Sequence, residues 1–200
     1  MLEMGAVALT GAGHLTFSAL DASILFIPLA TVGWGGYVYH RTRQNPRFLQ
    51  EAGLTGRNLG PAFREASLVA AGALVVMAGI GAAQGSLVFD ADMLPLLVLY
   101  PAWGVVQQFL VQRMVAGNLA TARSWVGSPY AVTPVTATAF GAVHLPSWDL
   151  TAGTFGLGLI YTPLYLRHRN VLPLGLYHGW LGAFYYRWVL DRNPWADLVR

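Results

Sequence analysis

An all-α, polytopic integral membrane protein is the fold class predicted for this chain, on three grounds. Hydrophobic residues fill 55% of its 200 positions and charged residues only 10%, where a soluble domain carries about 25% charged residues. The mean hydropathy is +0.48, and the apolar residues gather into runs long enough to cross a bilayer core, which takes about 20 residues of helix. Glycine is frequent inside those runs, as expected where membrane helices pack closely.

Six spans follow. The first runs from about Ser18 to Tyr39, around "ILFIPLATVGWGGYVY", and the second from Ser67 to Leu87. The third block, Leu94 to Ala120, is long for a single span and contains Pro101. Proline suits a first helical turn, so this helix is expected to start near Pro101 and run inward past Arg113. The fourth span covers about Tyr130 to Leu145, the fifth Leu150 to Leu166 and the sixth Val171 to Leu190. The fourth and fifth are short and joined by "PSWD", which predicts a tight helical hairpin. Small-xxx-small pairs at Gly81/Gly85 and Gly175/Gly179 are candidate points of close helix approach. No linker or repeat divides the chain, so residues 1–200 read as a single membrane domain.

The longest polar segment, residues 40–66, holds Arg41, Arg43, Arg47, Arg57 and Arg64 against Glu51 and Glu65. Part of it can form an amphipathic helix on the membrane surface, and its Arg excess predicts a cytoplasmic loop. Arg123 and the "RHRN" turn at 167–170 fall on the same side by alternation, and the acidic "FDAD" loop at 89–92 on the opposite one. Both termini would then be extracytoplasmic. The expected location is a prokaryotic inner membrane, with lipids as partners.

Several function classes drop out. The chain has no Cys, which removes disulfides, thiolate zinc sites and cysteine nucleophiles. All twelve basic residues are Arg, and none forms a run interleaved with aromatics, so nucleic-acid binding has no support. The first hydrophobic segment lacks a basic leader and a cleavage site, so no removable signal peptide is expected.

What the apolar background does contain is amides and imidazoles. "WGVVQQFLVQRMV" places Gln107, Gln108 and Gln112 in a hydrophobic block, and an unpaired buried amide costs about 1–3 kcal/mol. His144 in "FGAVHLP" and His178 in "LGLYHGWLGA" sit in two other spans. Polar groups inside a membrane default to a functional hypothesis. The ordinary alternative for either His alone is a neutral ring hydrogen-bonded between helices. Two His and three Gln on three helices favour a shared polar site. Gln108 and Gln112, and Phe140 and His144, are each four apart and so share a helix face, while Gln107 points around to a neighbouring face. Gln108, His144 and His178 are expected to line the common pocket, with Gln112 one turn deeper.

In this order the motifs resemble the CPBP intramembrane proteases, also called the Abi or CAAX-protease family, whose pattern is EExxxR, then FxxxH, then a His on a later helix. The counterparts are "QQFLVQ" from Gln107 to Gln112, "FGAVH" from Phe140 to His144, and His178. The resemblance covers about residues 95–185. It implies an intramembrane endopeptidase in which a glutamate of the first motif and a His activate water. Both glutamate positions are Gln in this chain, the Arg position is Gln112, and the Asn often found four residues after the last His is Gly182. Neutral amides replace all three charged groups of the first motif, so a buried Arg is not left uncompensated. An amide cannot take up a proton near neutral pH, so general-base catalysis at Gln107 or Gln108 is unavailable.

No other carboxylate is an obvious substitute. The glutamates are Glu3, Glu51 and Glu65, all outside the predicted spans. Asp21 sits at the edge of the first span. Asp149, five residues past His144, is the best remaining base or His-orienting group, its ordinary alternative being a solvated turn residue capping the fifth helix. No cofactor is expected and no metal, since a Gln amide is a poor third ligand beside two His.

Three readings remain. The first is a protease homologue without glutamate-dependent activity, whose pocket (Gln107, Gln108, Gln112, Phe140, Asp149) binds a lipid, a prenyl group or a membrane client. The second is a hydrolase with a rebuilt site in which His144 and His178 are catalytic. The third is a structural subunit of a larger membrane complex.

Overall fold

Backbone polar groups in lipid must be satisfied within the chain, which helices achieve segment by segment, and every regular element among the described residues is helical. The computed structural model describes residues 2–20, 22–121 and 128–195. Asp21 and Arg123 lie outside them. In chain order the helices are α1 (Leu2–Ala19), α2 (Ser23–Gln44), α3 (Phe48–Glu51), α4 (Leu59–Gln84), α5 (Met93–Gln108), α6 (Gly117–Ala120), α7 (Pro129–Ala142), α8 (Trp148–His168) and α9 (Leu172–Phe184). A π-helical stretch, Phe109–Ala116, joins α5 to α6 without a break, and a second, Tyr185–Val189, extends α9. Among the described residues, Leu59–Gln84 and Met93–Ala120 are long and apolar enough to cross a membrane.

The third span departs from expectation at its start. It begins at Met93, with Pro101 buried inside the helix. Proline has no N–H and blocks the carbonyl four residues earlier, here that of Leu97. The indole Nε1–H of Trp180, on α9, donates to the Leu97 carbonyl at 2.9 Å. A partner distant in sequence thus satisfies the group the proline freed, and the helix continues.

Trp180 can reach because α5 and α9 touch backbone to backbone. A Cβ on Gly104 would strike the Gly175 carbonyl and come within 2.8 Å of the Gly179 nitrogen. One on Gly175 would meet the Val105 backbone, and one on Gly179 the Tyr100 carbonyl and, at 2.5 Å, the Pro101 nitrogen. Gly175/Gly179 is therefore a contact between helices. Gly81 instead meets Trp188, at 3.1 Å from its Cβ, and Gly85 takes a left-handed φ of 76° that ends α4.

The predicted hairpin forms from α7 and α8, where Gly141 faces the Thr151 carbonyl and Gly158 faces Ala137 Cα at 2.8 Å. Two apolar clusters hold the bundle together. One gathers Ala66, Ala116, Val132, Tyr161, Tyr165 and Leu174; the other gathers Phe48, Ala52, Phe109, Leu110 and Met114.

The polar segment at 40–66 is more built than a surface helix. α2 extends to Gln44, and α3 inserts Phe48, fully buried, against Phe109 and Met114. Asn170 Nδ2 then donates to the carbonyls of Thr55 and Arg57, both at 2.8 Å, while its Oδ1 accepts from Leu172 N at 3.0 Å. The carbonyl of Gly53, a residue at φ 73°, accepts from the N–H of Val171 at 2.9 Å. A Cβ there would lie 2.7 Å from the Arg169 carbonyl.

The largest difference is α1, a helix over residues left outside the predicted spans. Its Glu3 accepts hydrogen bonds from Tyr37 and, at 3.0 Å, from Asn118 Nδ2, and lies 4.0 Å from Arg41 Nη2. Trp34 Nε1 donates to Thr10 Oγ1 at 3.2 Å. The chain therefore begins on the same face of the bundle as Arg41 and the 40–66 segment. This corrects the expectation for the start of the chain, which was placed on the opposite face, because the added helix reverses the side on which it lies.

Candidate functional site

The glycine contact between α5 and α9 determines which amide meets which imidazole. Gln107 follows Gly104 by three residues and His178 precedes Gly179 by one, so the two side chains emerge where the backbones are closest. His178 Nε2–H donates to Gln107 Oε1 at 3.1 Å. That leaves Nδ1 of this buried ring as an acceptor.

His144 lies just past the end of α7, where its Nδ1 donates to the Phe140 carbonyl at 2.8 Å. Its Nε2 is then the free acceptor. Phe140 is buried between the rings, with centroids 5.4 Å from His144 and 5.1 Å from His178. The imidazole centroids are 6.5 Å apart and nearly perpendicular. Gln107, Phe140, His144 and His178 therefore surround one polar locus formed by α5, α7 and α9.

Gln108, expected at the centre of this group, turns elsewhere. It is fully buried, and its Oε1 accepts from Gln112 Nε2 at 3.2 Å. Gln112 is one turn further along, also fully buried. Arg113 leaves this face altogether: its Nη1, with the Tyr165 hydroxyl, lies near Gly117.

Asp149 is separate. It is exposed in the first turn of α8, and its backbone carbonyl, not its carboxylate, accepts from the Tyr185 hydroxyl at 2.9 Å. Among the described residues no group of three or more His, Asp or Glu is arranged to hold a metal ion.

One nearby residue was not anticipated. Gly11 of α1 packs on Val143, with 3.2 Å between its projected Cβ and Val143 Cγ1, and His14 lies within electrostatic range of His144. The His14 ring also stacks at a tilt on Phe26, centroids 5.3 Å apart. The available signal was the stretch "GAVALTGAGHLTFSAL", apolar and uncharged for more than four helical turns.

The site chemistry is that of hydrogen bonding between neutral groups. One imidazole N–H is directed to an amide oxygen, the other to a backbone carbonyl, and each ring keeps one lone pair. Such a site can accept hydrogen bonds from a ligand hydroxyl, amide N–H or water.

Comparison with protein families matches residues 89–184, from the loop before α5 to the end of α9, to the family described as type II CAAX prenyl endopeptidase, Rce1-like. Comparison with curated proteins and with solved structures returns no match. The matched segment contains Gln107, Gln108, Gln112, Phe140, His144 and His178, the residues on which the resemblance in sequence rests. Over residues 89–184 this chain is thus similar to the Rce1-like type II CAAX prenyl endopeptidase family.

Proposed function

We propose that this protein is a membrane-embedded member of the family without glutamate-dependent peptidase activity, whose retained pocket binds a lipid, a prenyl group or a prenylated client. The observation that carries this reading is the bond between His178 Nε2 and Gln107 Oε1. Where the family pattern has a glutamate, the group beside the imidazole is an amide with no proton affinity near neutral pH. Asp149, the carboxylate nearest His144 in sequence, is exposed in the first turn of α8. The substrate class that the family description names, a prenylated CAAX sequence, supplies the ligand chemistry.

The binding test uses a farnesylated, fluorescent tetrapeptide with the protein in nanodiscs. Wild-type protein binds it, and His178→Leu or Gln107→Leu weakens binding about tenfold, the value of one hydrogen bond of about 1.4 kcal/mol. Equal binding by all three proteins would remove the pocket as the ligand site.

In the same reading the chain lies in a prokaryotic inner membrane and crosses it seven times, the six expected spans (α2, α4, α5 to α6, α7, α8 and α9 with its π extension) being preceded by α1. α1 packs beside α2. The 40–66 segment is cytoplasmic by its Arg excess, and the start of α1 accompanies it. Gln50→Cys and Ala91→Cys, introduced singly into this Cys-free chain, test the orientation, both positions being exposed. An impermeant thiol reagent applied to intact cells labels the cysteine at position 91 and spares that at position 50. The opposite pattern reverses the topology.

A further inference from the structure

Five fully buried side chains on α5 and its π extension, α7 and α8 each carry a polar atom without a protein partner: Gln108 Nε2, Gln112 Oε1, Thr136 Oγ1, Tyr161 Oη and Thr162 Oγ1. Helix register places them at neighbouring levels. Ala116, Val132 and Tyr161 pack in one apolar cluster. One turn from Ala116 toward the imidazoles is Gln112, and one turn from Val132 in the same direction is Thr136. The close approach of Gly158 to Ala137 brings the next turn of α8, with Tyr161 and Thr162, alongside Thr136 and Val132. Gln108 completes the stack, tied to Gln112 by their amide–amide bond.

An unpartnered buried polar group costs about 1–3 kcal/mol, and five at adjacent levels would impose a penalty that few folds carry. Together they present amide N–H and C=O groups and three hydroxyls, each able to donate or accept. No carboxylate or guanidinium belongs to the set, so an ion is a poor match. Ordered water, which makes about three bonds to otherwise unsatisfied buried groups, suits it well.

We propose that Gln108, Gln112, Thr136, Tyr161 and Thr162 form an internal hydration site, a buried cluster binding ordered water one to two turns inward of the His144–His178 pair. The site is distinct from the imidazole locus and adjoins it through Gln108, the sequence neighbour of Gln107. It stands whether or not the outer pocket binds a prenylated ligand.

Removal of single hydroxyls tests the proposal through the sign of the stability change. Thr136→Val, Thr162→Val and Tyr161→Phe each delete one polar group at nearly constant shape. If water is bound, each variant strands a water and its other partners, and the unfolding temperature in detergent falls by about 2–4 °C. Thr136→Val combined with Thr162→Val then falls by less than the sum of the two, because both disrupt one cluster. If the hydroxyls are simply orphaned, each variant removes a buried unpaired group and the unfolding temperature rises. A rise in both threonine variants, or strictly additive losses, overturns the hydration site. Binding of the farnesylated tetrapeptide, measured on the same samples, reports separately on the outer pocket.

Discussion

Gly179→Ala should be among the most damaging single-methyl additions in this protein, costing about 3 kcal/mol or more of stability. The added Cβ would meet the Tyr100 carbonyl and the Tyr100 and Pro101 backbone atoms at 2.5 Å. All of these are main chain, so no flexible side-chain end can move aside. Relief requires α9 to withdraw from α5, which also pulls His178 from Gln107 and Trp180 from the Leu97 carbonyl. Thermal unfolding in detergent measures the first effect, and imidazole ¹⁵N chemical shifts measure loss of the Nε2–H bond at His178. Gly72→Ala provides the contrast. A Cβ there meets nothing within 4 Å, so the helix propensity of Ala should raise stability by up to about 1 kcal/mol. Equal effects at the two positions would mean that α5 and α9 are not in backbone contact.

Asn170→Leu is the second large effect. The side chain is 1% exposed and makes three bonds, to the carbonyls of Thr55 and Arg57 and from the N–H of Leu172. Leu fills a similar volume and leaves those three backbone groups without the amide. A loss of about 2–4 kcal/mol follows, since each stranded group costs on the order of 1 kcal/mol or more. The damage should also be local, because Asn170 fastens the 53–58 turn to the loop between α8 and α9. Limited proteolysis should then cut the 53–58 turn faster in Asn170→Leu than in wild type, while the α5–α9 contact remains intact. An unchanged cleavage rate would mean that other contacts hold the turn.

Much of this architecture was legible because hydrophobic run length reports helices directly. The α7–α8 hairpin, α9 and the Gly175/Gly179 contact follow from "PSWD", the apolar runs and the glycine spacing. Pro101 is placed at a helix start by local rules, whereas the compensating indole of Trp180 lies 83 positions beyond Leu97, whose carbonyl it satisfies. α1 was missed because the first span was begun at Ser18, although the preceding residues are also apolar. Its consequence is large, since Glu3, Gly11 and His14 each contact or approach a different part of the bundle.

The candidate site was legible in composition more than in pairing. Spacing identifies Gln107, Gln108, Gln112, Phe140, His144 and His178 as intramembrane polar or aromatic positions on three helices. It does not tell which of two adjacent glutamines faces α9, since residues 100° apart on a helix can each border the same neighbour. The glycine contact decides for Gln107. The π-helical stretch that starts at Phe109 has no signature in the apolar pattern, yet it follows directly on Gln108 and carries Gln112. Thr136 and Thr162 are inconspicuous in the sequence because Thr hydroxyls in helices ordinarily bond to their own backbone, and Tyr161 because it reads as one more apolar-face aromatic; only their lack of any partner sets the three apart.

The chemistry turns on whether an amide stands where catalysis would need a carboxylate. The direct measurement is product formation from farnesylated CAAX peptides by purified protein in nanodiscs, followed by mass spectrometry at neutral pH. Wild-type protein should yield no cleavage product above the peptide-only control, because neither Gln107 nor Gln108 can accept a proton from water. Product released by wild-type protein and abolished by His144→Ala would contradict this and establish a working hydrolase built on the two imidazoles.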